Sequence, residues 1–295
     1  MKLVTYALDG AEHVGVMTDE GIIPLSILNS DMPDEMHAVV AGGSVLLNQI
    51  ADAIIASSPT PLDPTDVALL APFPRPRRNV FCVGKNYYAH AREFEVSGFD
   101  SSSAGQQIPE VPIIFTKATT SVVGSGDTVE SALDPTGSVD YEGELAVVIG
   151  TGGRGINSTD AMKHVYGYTI INDVTSRDIQ RQHKQWFLGK SMDTFCPMGP
   201  VITTADELHD IRSIQLTTRV NGEVRQNASV KDLIFDIPRL IETLSKSMTL
   251  EPGDLIATGT PAGVGIGFTP PRYLQPGDHV EVEISGIGVL ANPIG

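Results

Sequence analysis

The chain has 295 residues, of which 41% are hydrophobic, and carries a formal net charge of −16. That length buries a large core, with one large domain plus a small one as the expected organisation, and the acidic balance excludes nucleic acid and anionic membrane as natural partners. No apolar run is long enough to span a bilayer, the first residues lack the pattern of a signal peptide, and two cysteines, Cys82 and Cys196, are too few for a disulfide framework, so a cytoplasmic location is the expectation.

Residues 1 to about 30 alternate apolar and polar positions around turn signals at Asp9-Gly10 and Glu20-Gly21, which predicts a small β-meander. Val45, Leu46, Ile50, Ile54 and Ile55 recur at helical spacing and predict a helix within 44–56. A proline-rich linker follows at 57–64, with a second cluster at Pro72, Pro74 and Pro76. A boundary between them separates a small α+β domain, 1–70, from the main domain, 71–295. The first seventy residues hold no constellation of reactive groups, so a structural or oligomer-related role is expected for them.

The main domain opens with an apolar strand at 79–84, followed by a helical stretch carrying His90 and Glu93. Three apart, these two share a helix face and can hydrogen-bond. A carboxylate that accepts from one imidazole nitrogen fixes the tautomer and raises the basicity of the other, as a general base requires. Residues 96–109 are rich in Ser and Gly, a composition that beside a candidate base predicts a mobile lid.

Asp140-Tyr141-Glu142-Gly143-Glu144 runs into the apolar, β-branched stretch 145–149, a predicted strand. Alternate residues of a strand share a face, so Glu142 and Glu144 project together. A second strand, 166–171, ends in Asn172-Asp173, and if the two strands are neighbours Asp173 completes a set of three carboxylates. Hard oxygen ligands of this kind suit Mg²⁺, Mn²⁺ or Ca²⁺ rather than zinc. Gly150 to Gly155 is glycine-rich but opens no sustained helix, so it reads as a loop before a short helix at 158–164 and not as a phosphate cradle.

His183 and Trp186 fall in a predicted loop between Gln180 and Lys190, where surface and packing roles are expected. Cys196 has no neighbour in sequence that would activate a thiolate. Asn221-Gly222 between two alternating runs predicts a β-hairpin. Phe235 to Met248 carries a helical apolar stripe with Pro238 in its first turn. Pro-Gly-Asp turns at 252–254 and 276–278 precede strands at 255–258 and 279–284, and Gly263 to Gly267 reads as backbone lining a cavity.

Several of these segments, in order, resemble the fumarylacetoacetate hydrolase superfamily, in particular its acylpyruvase and 2-hydroxyhepta-2,4-diene-1,7-dioate isomerase-like group. They are Gly84-Lys85-Asn86-Tyr87-Tyr88-Ala89-His90-Ala91-Arg92-Glu93, Pro112-Ile113-Ile114-Phe115-Thr116-Lys117, Tyr141-Glu142-Gly143-Glu144-Leu145, Asn172-Asp173-Val174-Thr175-Ser176-Arg177-Asp178-Ile179-Gln180, the run 189–200, and Thr258-Gly259-Thr260-Pro261-Ala262-Gly263-Val264-Gly265. Each is weak alone; the ordered set across 79–295 is specific.

The resemblance implies a mainly β fold with short helices, a mixed β-sandwich roll, and a homodimer. It implies a divalent cation, Mg²⁺ with Mn²⁺ or Ca²⁺ as alternatives, on Glu142, Glu144 and Asp173, with a keto-acid substrate bound through its carboxylate and 2-oxo group. His90, oriented by Glu93, would activate water; Lys190 would stabilise the developing negative charge; Lys117, Arg177, Gln180 and Thr260 would bind substrate. The His90–Glu93 pair favours hydrolysis of a C–C bond in an acylpyruvate-like acid. Oxaloacetate decarboxylation, isomerisation or tautomerisation of a 2-oxo-3-ene diacid, and non-catalytic keto-acid binding are the alternatives on the same site.

Overall fold

The computed structural model describes residues 1–96 and 108–295; most of the segment expected to form a lid lies outside them. The fold is mainly β with short helices. Three strands, β1 (Lys2–Leu8), β2 (Ala11–Thr18) and β3 (Gly21–Pro24), form the expected meander, closed at Asp9-Gly10, both at positive φ. The helices α1 (Leu25–Leu28), α2 (Met36–Ala41) and α3 (Gly43–Ser57) follow, and α3 stops at Ser58 in the left-handed conformation.

After the short strand β4 (Ala68–Leu69) come β5 (Val80–Gly84), α4 (Tyr88–Val96), β6 (Ile113–Lys117), β7 (Val122–Val123), β8 (Val139–Asp140), β9 (Gly143–Ile149), β10 (Val165–Asn172) and β11 (Thr175–Ser176). The region expected to be a loop around Trp186 instead holds two helices, α5 (Arg177–His183) and α6 (Phe187–Lys190); the short helix expected at 158–164 is a 3-10 turn, Ala161–His164. The remainder is β12 (Cys196–Thr204), the hairpin of β13 (Gln215–Val220) and β14 (Glu223–Ser229), α7 (Ile237–Ser245), β15 (Leu255–Ala257), β16 (His279–Ile284) and β17 (Gly288–Pro293).

The large mixed sheet runs β3-β2-β1-β12-β10-β9-β15-β5-β6, and a four-stranded antiparallel sheet runs β14-β13-β16-β17. The meander is the continuation of the main sheet: Lys2 and Leu3 pair with Thr203 and Ile202. A division at residue 70 therefore cuts through hydrogen-bonded strands. The central strand β9 is buried on both faces, which is why it reads as an unbroken apolar run. Leu145, Val147 and Ile149 face a core shared with Leu216, Val220, Val280 and Val282 of the small sheet. Ala146 and Val148 face a second core shared with Met36, Val39, Val40, Leu46 and Ile50 of α2 and α3. The small sheet covers one face and the N-terminal helices the other.

Candidate active site

The antiparallel pairing of β9 with β10 sets Gly143 opposite Asn172 and Glu144 opposite Ile171. Glu142, one residue before β9, and Asp173, one residue after β10, thus meet at the same end of the sheet. Their loops are tied together: the Asp173 N–H donates to the Glu142 carbonyl at 2.8 Å, and the Glu142 N–H to the Asn172 side chain at 3.0 Å. Gly143 keeps the small sheet close, because a Cβ there would press on Thr218 and Val282. The oxygens of Glu142, Glu144 and Asp173 lie within 4.8 Å of one another. All three residues are 5% exposed or less, so these acids are not the solvated strand ends that a lone Glu-x-Glu usually marks.

Burial of so much negative charge is tolerated only with paired cations. Lys190 Nζ lies 2.7 Å from Asp173 Oδ2 and 2.9 Å from Glu142 Oε2. Lys117 Nζ lies 2.6 Å from Asp173 Oδ1 and also donates to the carbonyls of Val174 and Lys190. Arg177 sets Nη1 2.6 Å from Glu142 and Nε 2.8 Å from Asp140. The pairing is uneven. Burial pushes the Glu142 carboxyl up, but Lys190 and Arg177 outweigh it and hold it down at about 2. Glu144 accepts the Gly259 N–H at 2.8 Å, and burial together with Asp173 and Glu142 raises its carboxyl well above the usual range. On Lys190 the carboxylates outweigh burial and raise the ammonium pKa. Three buried carboxylates converging in this way are a set of hard oxygens that fits a divalent cation.

His90 and Glu93 come from α4, with His90 Nδ1 3.1 Å from Glu93 Oε2. A proton on Nδ1 shared with Glu93 leaves Nε2 as the basic nitrogen. The other Glu93 oxygen accepts the Gly263 N–H at 2.9 Å. His90 lines a small cavity together with Glu142, Glu144, Arg177, Gln180, Lys190 and Thr260. The rest of its lining includes an apolar wall of Val83, Phe94, Phe115 and Trp186. Trp186 meets Phe115 and Phe94 edge to face, at 5.2 Å and 6.2 Å between centroids, and Gly84 has no Cβ where the indole lies. The packing expected of Trp186 is therefore packing in the pocket wall, whereas His183 is exposed.

Most residues expected at the site converge on this cavity. Lys117, Asp173 and Glu93 do not line it; Lys117, fully buried, braces the Asp173 carboxylate and the carbonyl of Lys190. Arg177 is largely committed to Asp140 and Glu142, but its Nη2 is buried without a hydrogen-bond partner among the described residues. Thr260 donates to the Gly143 carbonyl at 3.0 Å and accepts from Gln226 at 2.8 Å, so it also holds the Glu-Gly-Glu corner in place.

Four contributors were not singled out from sequence. Lys85 is buried, lines the cavity and sits at φ +55°, a conformation uncommon for a side-chain-bearing residue. Asn86 bonds the backbone of Phe235 and Thr258, fixing the start of α4 against the β15 end. Asp140 and Gln226 join strands far apart in sequence. Only the left-handed turn at Lys85 has even an indirect sequence signal, the Gly84-Lys85-Asn86 run after a strand. Cys82 and Cys196 are buried free thiols, and burial lifts Cys196 to about 12, consistent with inert packing.

The chain is similar to several known proteins. The sequence profile described as fumarylacetoacetate (FAA) hydrolase, C-terminal, matches residues 79–295. The oxaloacetate tautomerase YisK of Bacillus subtilis (strain 168) is 53% identical over 231 residues, 78% of this chain and 74% of its own. A human mitochondrial oxaloacetate tautomerase is 41% identical over 287 residues, 96% of this chain and 87% of its own. Among solved structures, the fumarylacetoacetate hydrolase from psychrophilic Exiguobacterium antarcticum superposes with a TM-score of 0.81 at 42% identity, over 100% of this chain and 99% of that one. Maleylpyruvate hydrolase from Sphingobium sp. SYK-6, solved with manganese(II) and pyruvate, gives 0.78 at 31% identity over 100% and 98%.

Proposed function

The chain belongs to the fumarylacetoacetate hydrolase family and is an enzyme of it, and from that premise we propose that it interconverts the enol and keto forms of a small 2-oxo diacid of the oxaloacetate class. The observation that carries the reading is one small cavity lined by the carboxylate-backed imidazole of His90, the buried Lys190 ammonium, Glu142 and Glu144, with Asp173 completing the acid triad beside it. The names of the two curated relatives point to the same substrate and reaction. The hydrolysis expected from His90 and Glu93 ranks behind this reading, because proton transfer at C3 uses the same positioned base and both curated relatives are named as tautomerases.

Glu142, Glu144 and Asp173 would hold a divalent cation, which supplies electron withdrawal at the 2-oxo acid end of the substrate. His90 Nε2, with Nδ1 engaged by Glu93, exchanges the proton at C3. Lys190 holds its ammonium at the acid cluster, where negative charge develops on the 2-oxygen. Arg177 Nη2 and the buried Lys85 supply cationic donors for the carboxylates of a diacid. Phe94, Phe115 and Trp186 form the apolar wall of the cavity.

A second reading, hydrolysis of an acylpyruvate, is favoured by the maleylpyruvate hydrolase among the structural relatives and by the same His90–Glu93 pair acting on water. The test follows the ultraviolet absorbance of enol-oxaloacetate with Mg²⁺ or Mn²⁺, against a metal-only blank, alongside pyruvate release from oxaloacetate, acetylpyruvate and maleylpyruvate. Acceleration of enol loss well above the blank, exceeding pyruvate release, supports tautomerisation. Enol decay equal to the blank overturns it, and rapid cleavage of either acylpyruvate then establishes the second reading.

A further inference from the structure

The Glu93 carboxylate is held from two sides. One oxygen faces His90 Nδ1 at 3.1 Å; the other accepts the Gly263 N–H at 2.9 Å. Four residues on, Gly267 packs flat against the same carboxylate: a Cβ there would overlap the Glu93 oxygen and lie 2.7 Å from its Cγ. The segment carrying these two glycines is itself tied down. Asp140 accepts the Gly265 N–H at 2.6 Å and the Ile266 N–H at 3.1 Å, and the Tyr141 hydroxyl donates to the Gly263 carbonyl at 2.8 Å. Asp140 also takes Arg177 Nε at 2.8 Å, and Arg177 Nη1 reaches Glu142 at 2.6 Å. The loop that seats Glu93 therefore hangs from the same carboxylate that orients the arginine beside the acid triad.

We propose that the 263–267 loop is the socket of the base: Gly263 and Gly267 are positioning residues that set Glu93, and through it the His90 imidazole, relative to the acid triad. Gly263 contributes its N–H in a left-handed conformation, φ +105°, against the Arg225 carbonyl, where no side chain fits. Gly267 contributes the space that the carboxylate fills. The assignment rests on the reading that His90 is the base.

Gly267→Ala isolates this role. Gly267 is not at positive φ, and its added methyl would meet Glu93 side-chain atoms first, so the backbone can keep its course. Tautomerisation, or whichever acylpyruvate cleavage the wild type performs, is measured in wild type, Gly267→Ala, Glu93→Ala and the double variant. Gly267→Ala is expected to lower kcat roughly ten- to a hundredfold, part of what a positioned base contributes, with KM and calorimetric Mn²⁺ affinity unchanged. In the Glu93→Ala background the same substitution should change kcat by less than about twofold, because its target is gone. Equal losses in both backgrounds, or no loss in either, overturn the proposal. If Gly267→Ala does not accumulate as folded protein, Tyr141→Phe, which removes only the hydroxyl holding Gly263, enters the same cycle with the same expectation. A wild type inactive on every substrate refutes the active-base reading itself, a result seen before any variant is made.

Discussion

Glu144 differs from its two companions in how it is compensated. Asp173 has two lysines and Glu142 a lysine and an arginine, while burial and its neighbours drive the Glu144 carboxyl toward its neutral form. Glu144→Ala should therefore weaken Mn²⁺ or Mg²⁺ binding by more than about a hundredfold, beyond the loss typical of an outer-shell change, with the thermal midpoint held or raised because an ill-compensated buried acid is gone. Isothermal calorimetry and a melting curve check both halves; unchanged metal affinity rejects the ligand assignment. His90→Ala should lower tautomerisation by roughly a hundred- to ten-thousandfold, and Glu93→Gln less steeply, since it disturbs the imidazole without removing it. Lys85→Met should raise KM for oxaloacetate more than for acetylpyruvate, which lacks a second carboxylate; parallel steady-state kinetics decide it.

At the scale of elements, local chemistry and burial explain which segments obeyed sequence rules. The β13–β14 hairpin turns on Asn221 at φ +52° and Gly222 at φ +78°, the pair of left-handed conformations that matches strand twist. Gly222→Ala should lower unfolding free energy by about 1 kcal/mol, read from urea denaturation. The helix α7 starts at the Asp236 cap, whose side chain accepts the Arg239 N–H, with Pro238 in the first turn where it needs no donor. The central strand β9 has no solvent face: Val147 and Val148 enter different cores. Val147→Ala and Val148→Ala should each cost about 2 kcal/mol, a symmetry that a strand with one wet face would not show.

One sheet, from β3 to β6, joins the N-terminal meander to the strands that carry the acid triad. Because β1 pairs with β12 and α2 and α3 cover the face holding Ala146 and Val148, removal of residues 1–70 would expose a core face and a strand edge together. The full chain is expected to melt in a single calorimetric transition, and a chain beginning at residue 71 to be recovered largely as aggregate. Two resolved transitions in the full chain would show independent folding of the N-terminal segment. Among the described residues no helix is long and apolar enough to cross a membrane.

Much of this was determined by the sequence alone. Period-two and period-3.6 patterns, the Asn221-Gly222 turn and the caps are local, so the meander, β5, β9, β10, the β13–β14 hairpin, β15, β16, α3 and α7 were legible within a few residues of their observed ends, whereas β12 and β17 were not. The acid triad was legible because Glu142 and Glu144 are two apart and Asp173 ends an apolar strand; the spacing of His90 and Glu93 was legible for the same reason. Only the tertiary structure decided what required two distant segments to meet. It set β9 beside β10, turned Lys117 away from the cavity to brace Asp173, put Trp186 into the pocket wall, and ran the meander into the main sheet. It also hung the glycine loop that seats Glu93 from Asp140, 125 residues from Gly265 in the chain. A hydrogen bond of that kind leaves no periodic trace, because its two partners are chosen by how the sheet folds and not by anything in their own neighbourhoods.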